Sequence, residues 1–121
     1  MSIVTRDAIE PALVGYEKTW LFRVKHRGEN LNLDTGTNAP FTITATAACM
    51  DTGDQDLTVT VAKYTQAGED VGLFKATIAS TVLTAAREGQ WKMNIYIAAS
   101  GGNAQPLDER AFTLRPVETE A

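Results

Sequence analysis

The clearest alternation of apolar and polar residues in the chain runs through residues 89–97. Trp91, Met93, Ile95 and Ile97 occupy every second position, with polar residues between them. Successive side chains of a β-strand point to opposite faces of the sheet, so this period predicts a strand with one buried face and one solvated face. A glycine opens the segment and a Ser-Gly-Gly-Asn run follows it. We expect the rest of the chain to pair with this strand or to pack on it.

Six more segments show strand-like alternation, at residues 16–25, 31–33, 41–46, 57–64, 74–78 and 110–115. Clusters of Gly, Asn, Asp and Pro separate them roughly every ten residues, which is typical of antiparallel sandwiches. Helical patterns do not alternate with the strands, which disfavours a parallel sheet. The residues that we expect in the core are Trp20, Phe22, Val24, Phe41, Ile43, Val59, Val61, Phe74, Ile78, Trp91, Met93, Ile95, Ile97, Phe112 and Leu114.

The predicted fold is therefore all-β: an antiparallel, two-sheet, immunoglobulin-like sandwich of about seven strands. We expect residues 1–121 to form one domain. Residues 1–15 contain Pro11, which cannot donate a hydrogen bond to a ladder, so this segment is expected to be an edge strand or an arm. Residues 116–121 are expected to form a short acidic tail.

Residues 80–88 are expected to contain a short helical turn, capped by Ser80 or Thr81 and ended by Gly89. The stretch that follows resembles the entry to the sixth strand of immunoglobulin-type domains, with an aromatic residue followed two positions later by a core residue. Met93 stands where immunoglobulins carry a cysteine. The resemblance implies the same architecture without the disulfide of a secreted antibody-type domain.

Composition and charge narrow the choice of partners. The chain has a net charge of −4, with 44% apolar and 21% charged residues, as in a globular protein. An acidic balance disfavours nucleic acid as a partner, because phosphate contacts need a surplus of Lys and Arg. The apolar runs are too short to span a bilayer, and the first residues do not form a signal peptide, so we expect no membrane partner. Cys49 is the single cysteine, which fits folding in a reducing cytoplasm.

The segment Leu33-Asp34-Thr35-Gly36-Thr37 resembles the active-site loop of aspartic proteases. In a dimer, two copies of Asp34 would share one proton at the symmetry axis. The same tripeptide recurs at Asp51-Thr52-Gly53 within turn-forming residues, and a β-turn explains both occurrences more simply. A dimeric aspartic protease using Asp34 stays a remote alternative.

Other candidate chemistry is sparse. Asp51, Asp54 and Asp56 are a weak candidate for a Ca²⁺ site, because their spacing departs from that of Ca²⁺ loops. His26, the lone histidine, is expected at an exposed strand end, and Cys49 is expected in or near the core. We therefore predict no catalytic site and no cofactor, and we predict that the protein is not an enzyme.

Arg23, Lys25 and Arg27 are expected on the solvated side of the second strand. They are candidate interaction residues that could dock an acidic neighbour such as the Glu118/Glu120 segment of another copy. A solubilising face is the alternative interpretation.

Two blocks of sequence resemble small β-sandwich domains of tailed-phage virions, in particular the N-terminal domain of upper-baseplate and tail-fibre-attachment proteins. The first block is Trp20-x-Phe22-x-Val24, a glycine turn and the Leu31–Gly36 segment. The second is the Gly89–Tyr96 segment, a Gly-Gly hairpin and Phe112-Thr113-Leu114-Arg115-Pro116.

The resemblance implies a structural, non-enzymatic virion protein of the tail, baseplate or capsid surface, made in the host cytoplasm. Its partners would be other virion proteins and copies of itself in a homo-oligomer or a larger assembly. A carbohydrate- or host-receptor-binding sandwich is the alternative function, and it would need aromatic side chains exposed beside loops. Tyr16, Tyr64 and Tyr96 are the candidates for that role.

Overall fold

The computed structural model describes residues 2–5, 12–53 and 57–116. Two short 3₁₀ helices lie at Gly68–Asp70 and Ala85–Arg87. The strands are β1 (Ser2–Thr5), β2 (Ala12–Leu13), β3 (Lys18–His26), β4 (Glu29–Asn30), β5 (Thr42–Cys49), β6 (Thr60–Lys63), β7 (Leu73–Ile78), β8 (Gly89–Ala98) and β9 (Gln105–Arg115).

The strands form two sheets. Sheet 1 has the order β1-β3-β7-β6, with β4 paired to β3, and sheet 2 has the order β2-β9-β8-β5. These orders correspond to A-B-E-D and, for β5-β8-β9, to C-F-G of the constant-type immunoglobulin fold. The predicted two-sheet, immunoglobulin-like sandwich is therefore confirmed, and β8 occupies the position of the sixth strand.

One strand pair departs from the antiparallel expectation. Ala12 and Leu13 of β2 run parallel to Leu114 and Arg115 of β9, while β1 pairs antiparallel with β3. The segment predicted as an edge strand or arm thus contributes one strand to an edge of each sheet. These strands are four and two residues long. They are too short to show a readable alternation, which explains why the sequence did not separate them.

A tight two-residue turn closes the hairpin after β3. His26 pairs with Glu29, and the two residues between them, Arg27 and Gly28, have φ of 53° and 81°. Positive φ at both central residues is the geometry of a type I′ turn, which suits the twist of a two-residue hairpin. Arg27 consequently lies in the turn and not on the face of β3.

The predicted strand at residues 31–33 is absent. The side-chain oxygen of Asn32 accepts hydrogen bonds from the backbone N–H groups of Asp34 and Thr35, both at 2.9 Å. This local turn replaces a strand ladder, because an asparagine side chain can satisfy the backbone two residues ahead. Leu33 is nevertheless fully buried.

The predicted helical turn is shorter than residues 80–88. It is confined to the 3₁₀ helix Ala85–Arg87, which Thr84 precedes without a side-chain capping bond. Neither Ser80 nor Thr81 caps it, and Gly89 begins β8 instead of ending a helix.

The two sheets meet through aromatic side chains. The rings of Trp20 on β3 and Phe112 on β9 lie 5.2 Å apart, and Phe22 lies 5.3 Å from Phe74 within sheet 1. Tilted aromatic pairs at this separation are favourable beyond the area that they bury. The inward residues of β3, β5, β7, β8 and β9 that the alternation selects are all buried.

Val59 and Val61 differ from that expectation, because they are only partly buried. Val61 belongs to β6, which is four residues long and forms an edge of sheet 1, and Val59 lies just before this strand. Both therefore have a neighbouring strand on one side at most. Further residues are buried that the list of expected core residues did not include: Ala12, Leu33, Ala47, Leu57, Leu73, Ala76 and Leu83.

Candidate functional site

The outer face of sheet 2 presents an uncharged surface. The three threonines of β5 are exposed, and each lies opposite a half-buried residue of β8. The register pairs Thr42 with Ala98, Thr44 with Tyr96 and Thr46 with Asn94. We call these six residues the threonine face. None of them carries a charge, although charged residues make up 21% of the chain.

One ion pair borders this face. Lys92 Nζ lies 3.4 Å from Glu109 Oε2. The pair of Arg110 Nη2 and Asp108 Oδ2, 2.9 Å apart, lies opposite Met93 and Ile95 and therefore on the other side of the sheet. The ladder between β8 and β9 shifts its register between Ile95 and Tyr96, which marks a β-bulge. A bulge bends its strand and re-aims side chains near functional surfaces.

Two shallow depressions flank the bulge. One has a volume of about 370 Å³ and is lined by Asn94, Tyr96, Asp108 and Glu109, among others. The second, of about 380 Å³, is lined mostly by apolar residues, including Phe41 and Ile97. Both are lined by Pro106 and Leu107 of β9, so they lie side by side.

The outer face of sheet 1 is basic. Arg23 and Lys25 of β3 lie on it, and Lys75 joins them from β7, opposite Leu21. Among the described residues, neither Lys25 nor Lys75 has a carboxylate within ion-pair distance. We call Arg23, Lys25 and Lys75 the basic face. Arg27, the third residue predicted for this surface, is exposed in the adjoining turn.

Arg23 is held by its own chain. Its Nη2 donates to the backbone carbonyl of Glu69 in the first 3₁₀ helix. Its Nε is buried and has no hydrogen-bond partner in the described part of the chain. Within the described part of the chain, Lys25 and Lys75 are therefore the residues of the basic face that no hydrogen bond or ion pair holds.

Gln66 anchors the loop that packs beside Arg23. Its side-chain oxygen accepts from the backbone N–H groups of Leu33 at 3.0 Å and Gly72 at 2.8 Å. Its side-chain nitrogen donates to the carbonyls of Tyr64 at 2.7 Å and Leu73 at 3.2 Å. One side chain thus joins three stretches of backbone at this end of the sandwich.

Asp34 lies in a different setting from the one that an aspartic protease needs. Its carboxylate accepts from Lys63 Nζ at 2.6 Å and its side chain is 46% exposed. Lys63 also donates to the carbonyl of Phe41 at 3.0 Å. A proton-sharing pair of carboxylates requires two acidic groups in contact in a shielded site. Asp34 instead forms an exposed ion pair that ties its turn to β6.

The candidate Ca²⁺ residues lie only partly within the described chain. Asp51 is exposed in the turn after β5, whereas Asp54 and Asp56 lie outside the described residues. Within residues 2–5, 12–53 and 57–116, no group of three metal-ligating side chains comes together. His26 is exposed at the end of β3, where the sequence placed it.

Cys49 is half-buried and packs against the core. A depression of about 340 Å³ beside it is also lined by Thr52, Arg87 and Trp91. A hydrogen bond from the Thr52 side chain, with further bonds from the backbone of Thr52 and Asp51, lowers the pKa of the Cys49 thiol. Desolvation and the Asp51 carboxylate oppose the effect, but hydrogen bonding to the thiolate prevails.

In the part of the chain that the structure describes, no helix has the length and apolar character to cross a bilayer.

Comparison with known proteins identifies the fold and no family. No protein-family model and no curated protein matches the chain. Among solved structures, domains 4 and 5 of the S-layer protein SbsC superpose with a TM-score of 0.51 at 15% sequence identity, covering 98% of this chain. The SrpA adhesin from Streptococcus sanguinis, solved as a mutant, superposes with a TM-score of 0.49 at 12% identity over 95% of this chain.

The chain spans about half of the length of these neighbours, 52% of the SbsC fragment and 58% of the adhesin. At 15% identity, the likeness to SbsC supports the β-sandwich fold and leaves the function open. The evidence for a function therefore lies in the two outer faces and in the sequence blocks described above.

Proposed function

We propose that this protein is a non-enzymatic structural module that joins a larger assembly through its sheet surfaces, as a component of a tailed-phage virion. The threonine face is the observation that carries the proposal. Depletion of charge with an aromatic residue near the centre is the compositional pattern of protein interface cores, and a charged rim is typical around them. Here Tyr96 lies within the uncharged face, and the Lys92–Glu109 pair lies at its border.

The shape of this surface suits a protein partner. The threonine face lies on two long paired strands. β8 lies in the interior of sheet 2 and β5 lies at its edge. Side chains of a strand pair have fixed positions, so a partner that binds them pays little ordering entropy on this side. The two sequence blocks that resemble virion sandwich domains support the virion as the setting.

The proposal is tested by particle purification. Virions from a lysate of the host that carries this gene are separated on a density gradient, and the protein is quantified by mass spectrometry. We expect it to band with the particles in a fixed ratio to the other virion proteins. Recovery of the chain only in the soluble fraction would contradict the proposal.

A variant locates the contact. Thr44→Glu places a charge at the centre of the threonine face and should reduce incorporation into particles at least about tenfold, because an unpaired charge is costly to bury at an interface. Thr60→Glu is the matched control, since Thr60 is an exposed strand threonine of sheet 1. Equal incorporation of both variants would exclude the threonine face.

A carbohydrate-binding module is the second candidate function. The depression of about 370 Å³ at the bulge combines an aromatic side chain, Tyr96, with the amide of Asn94 and two carboxylates. Aromatic side chains with one apolar body and a polar tip suit ligands of mixed polarity. A glycan array probed with the purified protein tests it, and binding that Tyr96→Ala abolishes but Tyr64→Ala preserves would favour this function over the virion module.

A further inference from the structure

The basic face differs from the rest of the molecule in its charge. The protein as a whole carries a net charge of −4, yet Lys25 and Lys75 project from sheet 1 with no carboxylate partner among the described residues. The residue opposite Lys75 on β3 is Leu21, and the residue opposite Lys25 on β4 is Asn30. Their other cross-strand neighbours, Ser2 beside Lys25 and Ala62 beside Lys75, are uncharged as well. Among the described residues, no directly opposite acid therefore neutralises either lysine, and an acidic partner would fit this surface.

The chain itself contains an acidic segment of matching character. Glu118 and Glu120 follow Pro116 and are two residues apart. Both lie outside the part of the chain that the structure describes, and they add two negative charges to the sequence after Pro116.

The topology decides whether this contact forms within one copy or between two. The N–H of Val14 donates to the carbonyl of Arg115 at 2.9 Å, and Val14 lies four residues before Lys18, where β3 begins. The end of β9 is therefore at the same end of the sandwich as the start of β3. Lys25 lies seven residues further along β3, which is about 24 Å away along the strand.

The acidic segment of the same chain cannot span that distance with both carboxylates. Glu118 is three residues beyond Arg115, which is at most about 11 Å of extended chain, and Glu120 is at most about 18 Å beyond it. The path also has to pass from sheet 2 to the outer side of sheet 1, and stacked sheets lie about 10 Å apart. Lys25 can meet both carboxylates only when they belong to a second copy.

We propose that the basic face binds the Glu118–Glu120 segment of a second copy, so that copies associate head to tail. This inference rests on the proposed function, because it names a second copy of the chain as one partner of the structural module. A contact between two different surfaces is heterologous, and it generates a ring when the rotation closes and a filament when it does not. Exposed ion pairs are individually weak, so association is expected at high protein concentration and low salt.

A charge-swap experiment tests the inference by sedimentation velocity over a concentration series. One variant carries Lys25→Glu and Lys75→Glu, and the other carries Glu118→Lys and Glu120→Lys. In each variant the face and the segment have the same sign, so each alone should associate at least about tenfold more weakly than the unmodified protein. Mixed in equal amounts, they should associate again, because each face then finds a segment of opposite sign.

Lys18→Glu serves as the matched control, because Lys18 lies on the same side of β3 as Trp20, outside both faces, and its reversal should leave self-association within about twofold of the unmodified protein. Circular dichroism confirms that each variant is folded. A protein that stays monomeric at all concentrations, or a mixture of variants that does not associate again, would overturn the inference.

The outcomes separate this inference from the proposed function. Restored association in the mixture, together with absence of the protein from virions, supports the head-to-tail contact and contradicts the virion function. Presence in virions, together with association that is insensitive to both charge reversals, supports the virion function and contradicts the head-to-tail contact.

Discussion

The indole Nε1 of Trp91 donates a hydrogen bond of 2.7 Å to the backbone carbonyl of Arg87. Trp91 is only 2% exposed, and the bond is partly buried. Arg87 in turn donates from Nη1 to the carbonyl of Val82 at 2.8 Å. The 3₁₀ helix Ala85–Arg87 is thereby fixed to the start of β8. The connection from β7 in sheet 1 to β8 in sheet 2 thus has a defined geometry.

Replacing Trp91 by phenylalanine removes that donor. The partly buried carbonyl of Arg87 then loses this hydrogen bond, which costs about 1–3 kcal/mol in addition to the lost packing. Trp20→Phe is the matched control, because Trp20 is also buried but makes no hydrogen bond through its indole in the described structure. We expect the free energy of unfolding, measured by urea titration, to fall more for Trp91→Phe. Equal losses would show that the bond contributes nothing measurable.

Gly72 is expected to resist substitution by alanine. Its φ is +87°, and an added Cβ would lie 2.7 Å from the carbonyl oxygen of Val24, an atom of the backbone. Gly101→Ala is the control, because Gly101 has φ of +73° but open space around it. A positive φ alone costs an alanine about 1–2 kcal/mol. Thermal unfolding should therefore show a small loss for Gly101→Ala and a clearly larger one for Gly72→Ala.

Gln66→Leu tests the anchoring role of Gln66. Leucine has a similar size but neither accepts from the N–H groups of Leu33 and Gly72 nor donates to a carbonyl. Leaving two partly buried N–H groups without an acceptor should cost roughly 2–4 kcal/mol. Gln90→Leu changes an exposed glutamine that accepts one bond from Thr113 and should cost less than about 1 kcal/mol. Chemical unfolding of both variants checks the difference, and similar losses would contradict the role.

The lowered pKa of Cys49 predicts a shifted pH dependence of alkylation. The thiolate is the reactive form, so iodoacetamide should react with Cys49 at a lower pH than with an unstructured cysteine peptide. Thr52→Val removes the hydroxyl that contributes most to the shift and should move the rate profile to higher pH, whereas Thr52→Ser should retain it. The pH midpoint of the alkylation rate is the measurement, and an unchanged midpoint in Thr52→Val would contradict the assigned cause.

The sequence predicted best the long strands of the sandwich. Residues of β3 and β8 alternate cleanly because each strand has one face against the other sheet and one face towards solvent. Leu33 and Leu83 are as deeply buried, but they lie outside strands. A residue buried from a loop produces no period, so alternation could not find it.

The basic face was only partly visible in the sequence. The alternation of Phe74, Ala76 and Ile78 places Lys75 on the solvated side of its strand. The pairing of β7 with β3 brings Lys75 beside Arg23, and strand order is set by long-range contacts that local patterns do not encode. The hydrogen bond that Arg23 donates to the Glu69 carbonyl likewise depends on how the loop containing Glu69 folds over the sheet.

The parallel pairing of β2 with β9 has a mechanical consequence. Ala12 and Leu13 run in the same direction as Leu114 and Arg115, so tension that pulls the chain before Ala12 and after Arg115 in opposite directions acts along the two strands. The bonds between them, including the one from Val14 to Arg115, are then loaded together in shear and cannot open one after another like a zipper. The two strands therefore resist such tension as one unit.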